Sequence, residues 1–169
     1  VFLNMLLIQV LFLFHYERKK LEEKGTKGIW LQYYLEEWSY RRNAEFSISN
    51  GLKCRENFKS EDIGTYVKFA QLDSELVHVN QMLKYIKFGF GQCMDHVCYD
   101  IRDGLMNREK GIDLVKKYDG KCSNTYIKDF CNFIGITSET FKTTIEKFRG
   151  NMWKSNSDGD WENEIWKLF

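Results

Sequence analysis

The sequence predicts a mainly α fold with a short strand or two and a C-terminal hairpin. Its 169 residues hold no proline, where average usage would give roughly eight, so nothing of that kind interrupts a helix. Three successive segments open on a capping side chain and close on glycine: Asn107 to Gly120, Ser123 to Gly135 and Thr137 to Gly150. The hairpin is signalled by Asp158-Gly159, a two-residue turn pair lying between Trp153 and Trp161.

Composition limits the function classes. Apolar residues make up 43% and aromatic residues 16% of the chain, enough for the core of one domain. The net charge is +1, so no global field draws the protein to nucleic acid or an anionic membrane, and any functional charge is local. Cys54, Cys93, Cys98, Cys122 and Cys131 form no C-x-x-C pair, which favours free thiols over zinc or a disulfide framework. Val1 to Phe14 is apolar except for Asn4 and Gln9. It is shorter than the ~20 residues of a spanning helix and lacks the basic start and cleavage site of a signal peptide. It reads as a buried helix or strand without stable membrane insertion.

The elements follow in order. His15 to Lys24 fits the charged end of a helix, broken by Gly25. Ile29 to Leu35, short and rich in aromatic residues, predicts a strand. Ser39 caps a helix that ends at Gly51, with Ala44 and Ile48 on one face. Leu52 to Gly64 reads as loop. Asp73 or Ser74 caps a helix with an apolar stripe of Leu76, Val79, Leu83 and Ile86, stopped by Gly89 and Gly91. A further helix runs from Gln92 to Asp103, and the three capped segments complete the set.

Chemistry concentrates between Tyr85 and Lys121, YIKFGFGQCMDHVCYDIRDGLMNREKGIDLVKKYDGK. On the helix from Gln92, spacing places Asp95, Cys98 and Arg102 on one face and His96, Asp100 and Asp103 on the next. His96 and Asp100 are four apart, so the carboxylate can orient the imidazole as a general base, or the two can form a plain helix-surface hydrogen bond. Lys84, Lys87, Arg102 and Arg108 are candidate phosphate contacts. Gly89 and Gly91 permit close backbone approach at a helix N-terminus that attracts anions. A lone Gly-x-Gly without a preceding strand is no dinucleotide fingerprint, and a solvated basic face explains these residues equally well. Cys93 and Cys98 lack an adjacent base on their face. His15 and His78 show no partner. The last two helices resemble a helix-turn-helix only superficially, since Glu139 and Glu146 offset Lys142, Lys147 and Arg149. In the tail, Lys154 stands where a calcium loop needs its first carboxylate.

That stretch resembles the C-terminal signature of the N-acetyl sugar amidotransferases, members of the PP-loop ATP pyrophosphatase superfamily. The likeness continues upstream through GIWLQYYLEEWSYRRNAEFSISNGLKCRE and downstream through YIKDFCNFIGITSETFKTTIEKFRGNMW, covering roughly Lys27 to Trp153. The resemblance implies the helical C-terminal portion of an α/β, Rossmann-like enzyme. Residues 1–26 would then belong to the end of an N-terminal α/β domain, 27–153 to the amidotransferase region and 154–169 to the tail hairpin. It implies ATP-dependent conversion of a sugar N-acetyl group to an acetamidino group in the cytoplasm, for bacterial surface polysaccharide such as O-antigen. Partners would be glutaminase- and synthase-like subunits supplying ammonia, with a sugar nucleotide as substrate. ATP and Mg2+ act in the full-length enzyme and neither is expected on this stretch alone.

By the same resemblance Asp95, His96, Asp100, Arg102 and Arg108 match the family pattern. Asp95, His96 and Asp100 are the expected catalytic residues, and Arg102 and Arg108 join Lys84, Lys87, Gly89 and Gly91 as expected substrate or phosphate contacts, with no metal ligand among them. Glu109 also matches the family pattern. Two departures stand out. The family's Ser-Gly-Gly-x-Asp-Ser nucleotide loop is not among these residues, so the stretch alone should not bind ATP productively. Where the family has Gly-Phe-Gly-Arg-x-Thr-Asp-His, this chain has Gln92 and Met94 in place of the arginine and the threonine. A helical protein-interaction module, or an inactive remnant, is the alternative.

Overall fold

The computed structural model describes residues 18–29, 34 and 38–165, and the chain divides into two units, Val1–Trp38 and Ser39–Phe169. In the first, helix α1 (Arg18–Glu23) is closed by Gly25 in the left-handed region, as the charged run predicts. The apolar segment 1–14, His15 and nearly all of the strand expected over Ile29–Leu35 lie outside the described residues.

The second unit is helical, with one small hairpin. Helix α2 (Tyr40–Ser49) starts where Ser39 accepts the Arg42 amide, and Gly51 follows its C-cap at φ 99°. Of the expected apolar pair only Ala44 is buried, and Ile48 is 36% exposed. The stretch read as loop contains a short helix, α3 (Ser60–Ile63), closed by left-handed Gly64. A Cβ at Gly64 would lie 2.5 Å from the Lys121 carbonyl oxygen, and Ser123 N–H donates to the Asp62 carbonyl at 2.9 Å. Tertiary docking therefore holds this turn, a signal that local propensity does not carry.

Helix α4 (Leu76–Phe88) has Glu75 at its N-cap, with no side-chain bond there, so neither Asp73 nor Ser74 caps it. The Glu75 carboxylate is engaged by Arg55 instead, at 2.5 Å. Helix α5 (Gln92–Arg102) and helix α6 (Arg108–Tyr118) follow, the second capped by Asn107 as predicted. Gly111 lets these two approach closely: a Cβ there would fall 2.6 Å from Val97 Cγ1. Helices α7 (Asn124–Ile134) and α8 (Ser138–Glu146) carry the predicted caps Ser123 and Thr137, and α7 closes on Gly135. Helix α8 stops before its expected glycine, because Gly150 belongs to a different contact. Its amide donates to Ile86 O at 3.2 Å, and any Cβ would collide with the Lys87 carbonyl.

Val79, Met82, Cys131 and Phe141 form the buried apolar cluster between α4, α7 and α8, with Phe130 meeting Phe141 edge-on. Cys93, Val97 and Val115 form a second between α5 and α6. The hairpin pairs β1 (Trp153–Ser155) with β2 (Trp161–Asn163) in antiparallel register, Ser155 opposite Trp161. Its loop is five residues long rather than a two-residue turn. Asn156 Oδ1 accepts the amides of Asp158 and Asp160, a side-chain-built turn that replaces tight pairing. Asn163 Nδ2 then donates to the Gly89 carbonyl at 2.6 Å, tying the tail to the end of α4.

Candidate functional site

Helix α5 presents two different faces. The inner one carries Gln92, His96 and Asp100 at four-residue spacing, all buried at 3–6% exposure. The first turn of α2 and the segment after α3 close over it. His96 Nδ1 lies 2.7 Å from Thr65 Oγ1 and Nε2 3.3 Å from the Tyr40 hydroxyl. The Val67 amide donates to Thr65 Oγ1, so a ring protonated at Nε2 satisfies both sides. Asp100 accepts Arg41 Nε at 2.9 Å, Arg41 Nη2 at 2.5 Å and the Tyr66 hydroxyl at 2.7 Å. Ser39 Oγ donates to Asp103 Oδ2 at 2.5 Å. The Tyr40 ring is stacked on His96 and tilted against Phe69 and Tyr99.

Burial sets the protonation states. It pushes His96 down to about 4, although Asp100 pulls the other way, so the ring is neutral at pH 7. Asp100 is pushed up by burial, but the Arg41 and Tyr66 hydrogen bonds hold it below the usual carboxylate range. Burial raises Tyr40 to about 12, and burial with the Asp100 bond raises Tyr66 as well. The seam thus holds a fixed carboxylate beside a neutral imidazole. The expected pairing of Asp100 with His96 is not formed: each has a closer partner on another element.

The anion expected at the Gly89–Gly91 turn is supplied by the chain itself. Asp119 accepts the Gly91 amide at 2.7 Å and the Cys93 amide at 2.9 Å, capping α5 from the far end of α6. A Cβ at Gly91 would sit 2.7 Å from that carboxylate, whereas one at Gly89 would meet Met152 and Asn163. Both glycines therefore serve internal packing. Burial raises Asp119 to about 6 against its three amide donors, the third from Met94.

The basic candidates lie on three helices, Lys84 and Lys87 on α4, Arg102 on α5 and Arg108 on α6, and they separate into two groups. Lys84 reaches Asp95 at 2.5 Å and lies 4.9 Å from the Phe90 ring, while Lys87 rests over Phe88. Arg102, over Tyr99, donates to the Cys98 carbonyl, and Arg102 and Arg108 both act on the Cys98 thiol. Asp95 and Arg102 are seven residues apart, roughly 10 Å along the helix. Cys93 is buried, its thiol raised by burial and directed at Leu114 O, which suits packing. His78 is fully buried beside Tyr126, with Nε2 3.5 Å from Glu75 Oε2. Among the described residues no group of three His, Cys, Asp or Glu is placed to hold a metal ion, and no helix is long and apolar enough to cross a membrane.

Sequence spacing missed Tyr40, Arg41, Thr65, Tyr66 and Asp119. Each reaches α5 from another element, so no periodicity marks it; the Asp119-Gly120 pair was visible only as a helix stop. A family model described as LPS biosynthesis protein WbpG-like, C-terminal domain, matches residues 63–169. No curated protein matches the chain.

Proposed function

The chain belongs to the WbpG-like C-terminal domain family of LPS biosynthesis proteins, and on that premise we propose that it is the helical C-terminal part of an ATP-dependent amidotransferase. The reaction converts a sugar N-acetyl group to an acetamidino group for bacterial surface polysaccharide. Ammonia comes from glutaminase- and synthase-like partner subunits, and the enzyme is cytoplasmic.

The observation that supports this reading best is α5 itself. The stretch that resembles the sugar amidotransferases folds around this helix, which buries His96 and Asp100 on one face and carries Asp95 and Arg102 on the other. Asp95, His96 and Asp100 are assigned to the sugar. Lys84, Lys87, Arg102 and Arg108 are assigned to its diphosphate, which suits guanidinium and ammonium groups. The Gly89–Gly91 turn does not fit a triphosphate, because the Gly91 and Cys93 amides already bind Asp119 and the Gly89 amide donates to the Tyr85 carbonyl. No step through ATP or Mg2+ is therefore assigned to it, and on this reading both act at residues outside α4–α6.

The test is the full-length protein with ATP, ammonia and an N-acetylated sugar nucleotide, with product followed by mass spectrometry. Arg102→Ala and Arg108→Ala each lower kcat/KM by about tenfold or more if they bind phosphate; unchanged rates rule that assignment out. A helical interaction module is favoured by one observation, the exposure of Phe133 (77%) and Phe148 (65%). That reading requires capture of a glutaminase-type partner at micromolar concentration, and its absence counts against it.

A further inference from the structure

Helix α2 is attached to the rest of its unit through a single turn. Ser39, Tyr40 and Arg41 are successive residues, and their side chains reach Asp103, His96 and Asp100 on α5. Beyond that turn Ala44 is the one buried side chain, while Phe46 is 71% exposed. Polar and aromatic contacts at one end therefore hold α2, and little apolar burial supports the rest. The helix also precedes the residues matched by the family model, which begin at position 63.

What α2 covers has a definite chemistry. The Thr65 and Tyr66 hydroxyls, the His96 imidazole and the Asp100 carboxylate alternate donor and acceptor over a short distance. One helical turn before His96, on the same face, the Gln92 amide is 4% exposed and neither its Nε2 nor its Oε1 has a partner. A buried amide with both ends unmet is costly, and it is complementary to a ligand carrying an amide of its own. The hydroxyl and carboxylate groups beside it suit a polyol. The Ser39 hydroxyl and the Arg41 guanidinium are the donors now occupying that face, and the Tyr40 hydroxyl accepts from His96 Nε2.

We propose that α2 is a hinged lid over a sugar-reading face of α5, where Gln92 meets the acetamido group and Asp100 and Asp103 accept sugar hydroxyls. The hinge is the exposed stretch just after the helix, with Gly51 at φ 99°. Beyond it the chain is anchored again by the Arg55 amide on Lys68 O. Lifting the lid exchanges three internal hydrogen-bond partners for those of the ligand and leaves the apolar clusters of α4–α8 intact. The identity of the ligand rests on the proposed reaction; the motion of α2 does not.

Hydrogen exchange on this chain tests both parts, read by mass spectrometry with UDP-N-acetylglucosamine as probe and UDP as control, each at millimolar concentration. A lid opens locally, so α2 amides exchange about a hundredfold or more faster than those of α5. Ser39→Ala and the harsher Arg41→Ala accelerate α2 further without changing α4 or α7. UDP acts at 92–103 through Arg102 alone, and the sugar nucleotide alters protection there more than UDP does. Equal exchange in α2 and α5 overturns the lid. Fast exchange in α2 with no response at 92–103 beyond that of UDP overturns the sugar-reading face. Absence of amidination by the full-length enzyme, with both exchange results positive, overturns the reaction and leaves the lid and the face standing.

Discussion

Two regions of the second unit are buried to the same degree by opposite means. Between α4, α7 and α8 the contacts are apolar, centred on Val79, Met82, Cys131 and Phe141. Between α2, α5 and the segment at Thr65 they are directional hydrogen bonds around His96 and Asp100. Apolar packing tolerates exchange of partners and fails in proportion to the volume removed. A polar seam fails by leaving a specific group unmet, and it responds to pH. The difference assigns stability mainly to the first region and leaves the second free to change state.

The sharpest way to break the comparison is through its apolar side. Phe141→Ala removes a side chain that is 4% exposed and should cost about 4 kcal/mol in urea unfolding. A loss under about 1 kcal/mol would mean that this cluster does not anchor the unit. In the seam, Asp100→Ala leaves Arg41 and Tyr66 without their acceptor. It should cost about 3 kcal/mol, with Asp100→Asn retaining part of the loss.

The pH response then separates the regions. His96 has a folded value of about 4 against 6.5, so its neutral form stabilises the fold above pH 6.5 and that contribution is lost as pH falls towards 4. Asp119 has a folded value of about 6 against 3.8, so stability is gained as pH falls through 6. Between pH 7 and 4.5 the two contributions, each about 2 kcal/mol, oppose each other. The unmodified protein should therefore show a nearly flat stability profile. His96→Gln should become more stable on acidification and Asp119→Asn less stable; parallel profiles for all three would show that neither group is held as described. The smallest effect is local: Asn107→Ala loses the bond to the Lys110 amide and should lower stability by about 1 kcal/mol, read from the thermal midpoint.

The capped helices were legible because a cap is a local event. Asn107, Ser123 and Thr137 each bond an amide two or three residues on, and the sequence contains both partners at fixed spacing. The α4 stripe was legible for the same reason of periodicity. The missed cap at α4 shows the limit: Asp73 and Ser74 have the right chemistry, but Arg55 draws Glu75 into another contact. Likewise the hairpin's existence followed from Asp158-Gly159, while its loop was decided by Asn156.

Helix α5 shows most clearly what each level determined. The sequence by itself placed His96, Asp100 and Asp103 on one face and Asp95, Cys98 and Arg102 on another, because 3.6 residues per turn requires it. It also marked the N-terminus of α5 as a place for an anion. Only the tertiary structure decided that the anion is Asp119, 28 residues later in the chain for the Gly91 bond. Only the tertiary structure decided that Arg41, rather than His96, holds Asp100. Hydrogen-bond and charge partners are chosen by proximity in space. Where several elements offer a competent group, the chain's own packing selects among them, and no spacing along the sequence records that choice.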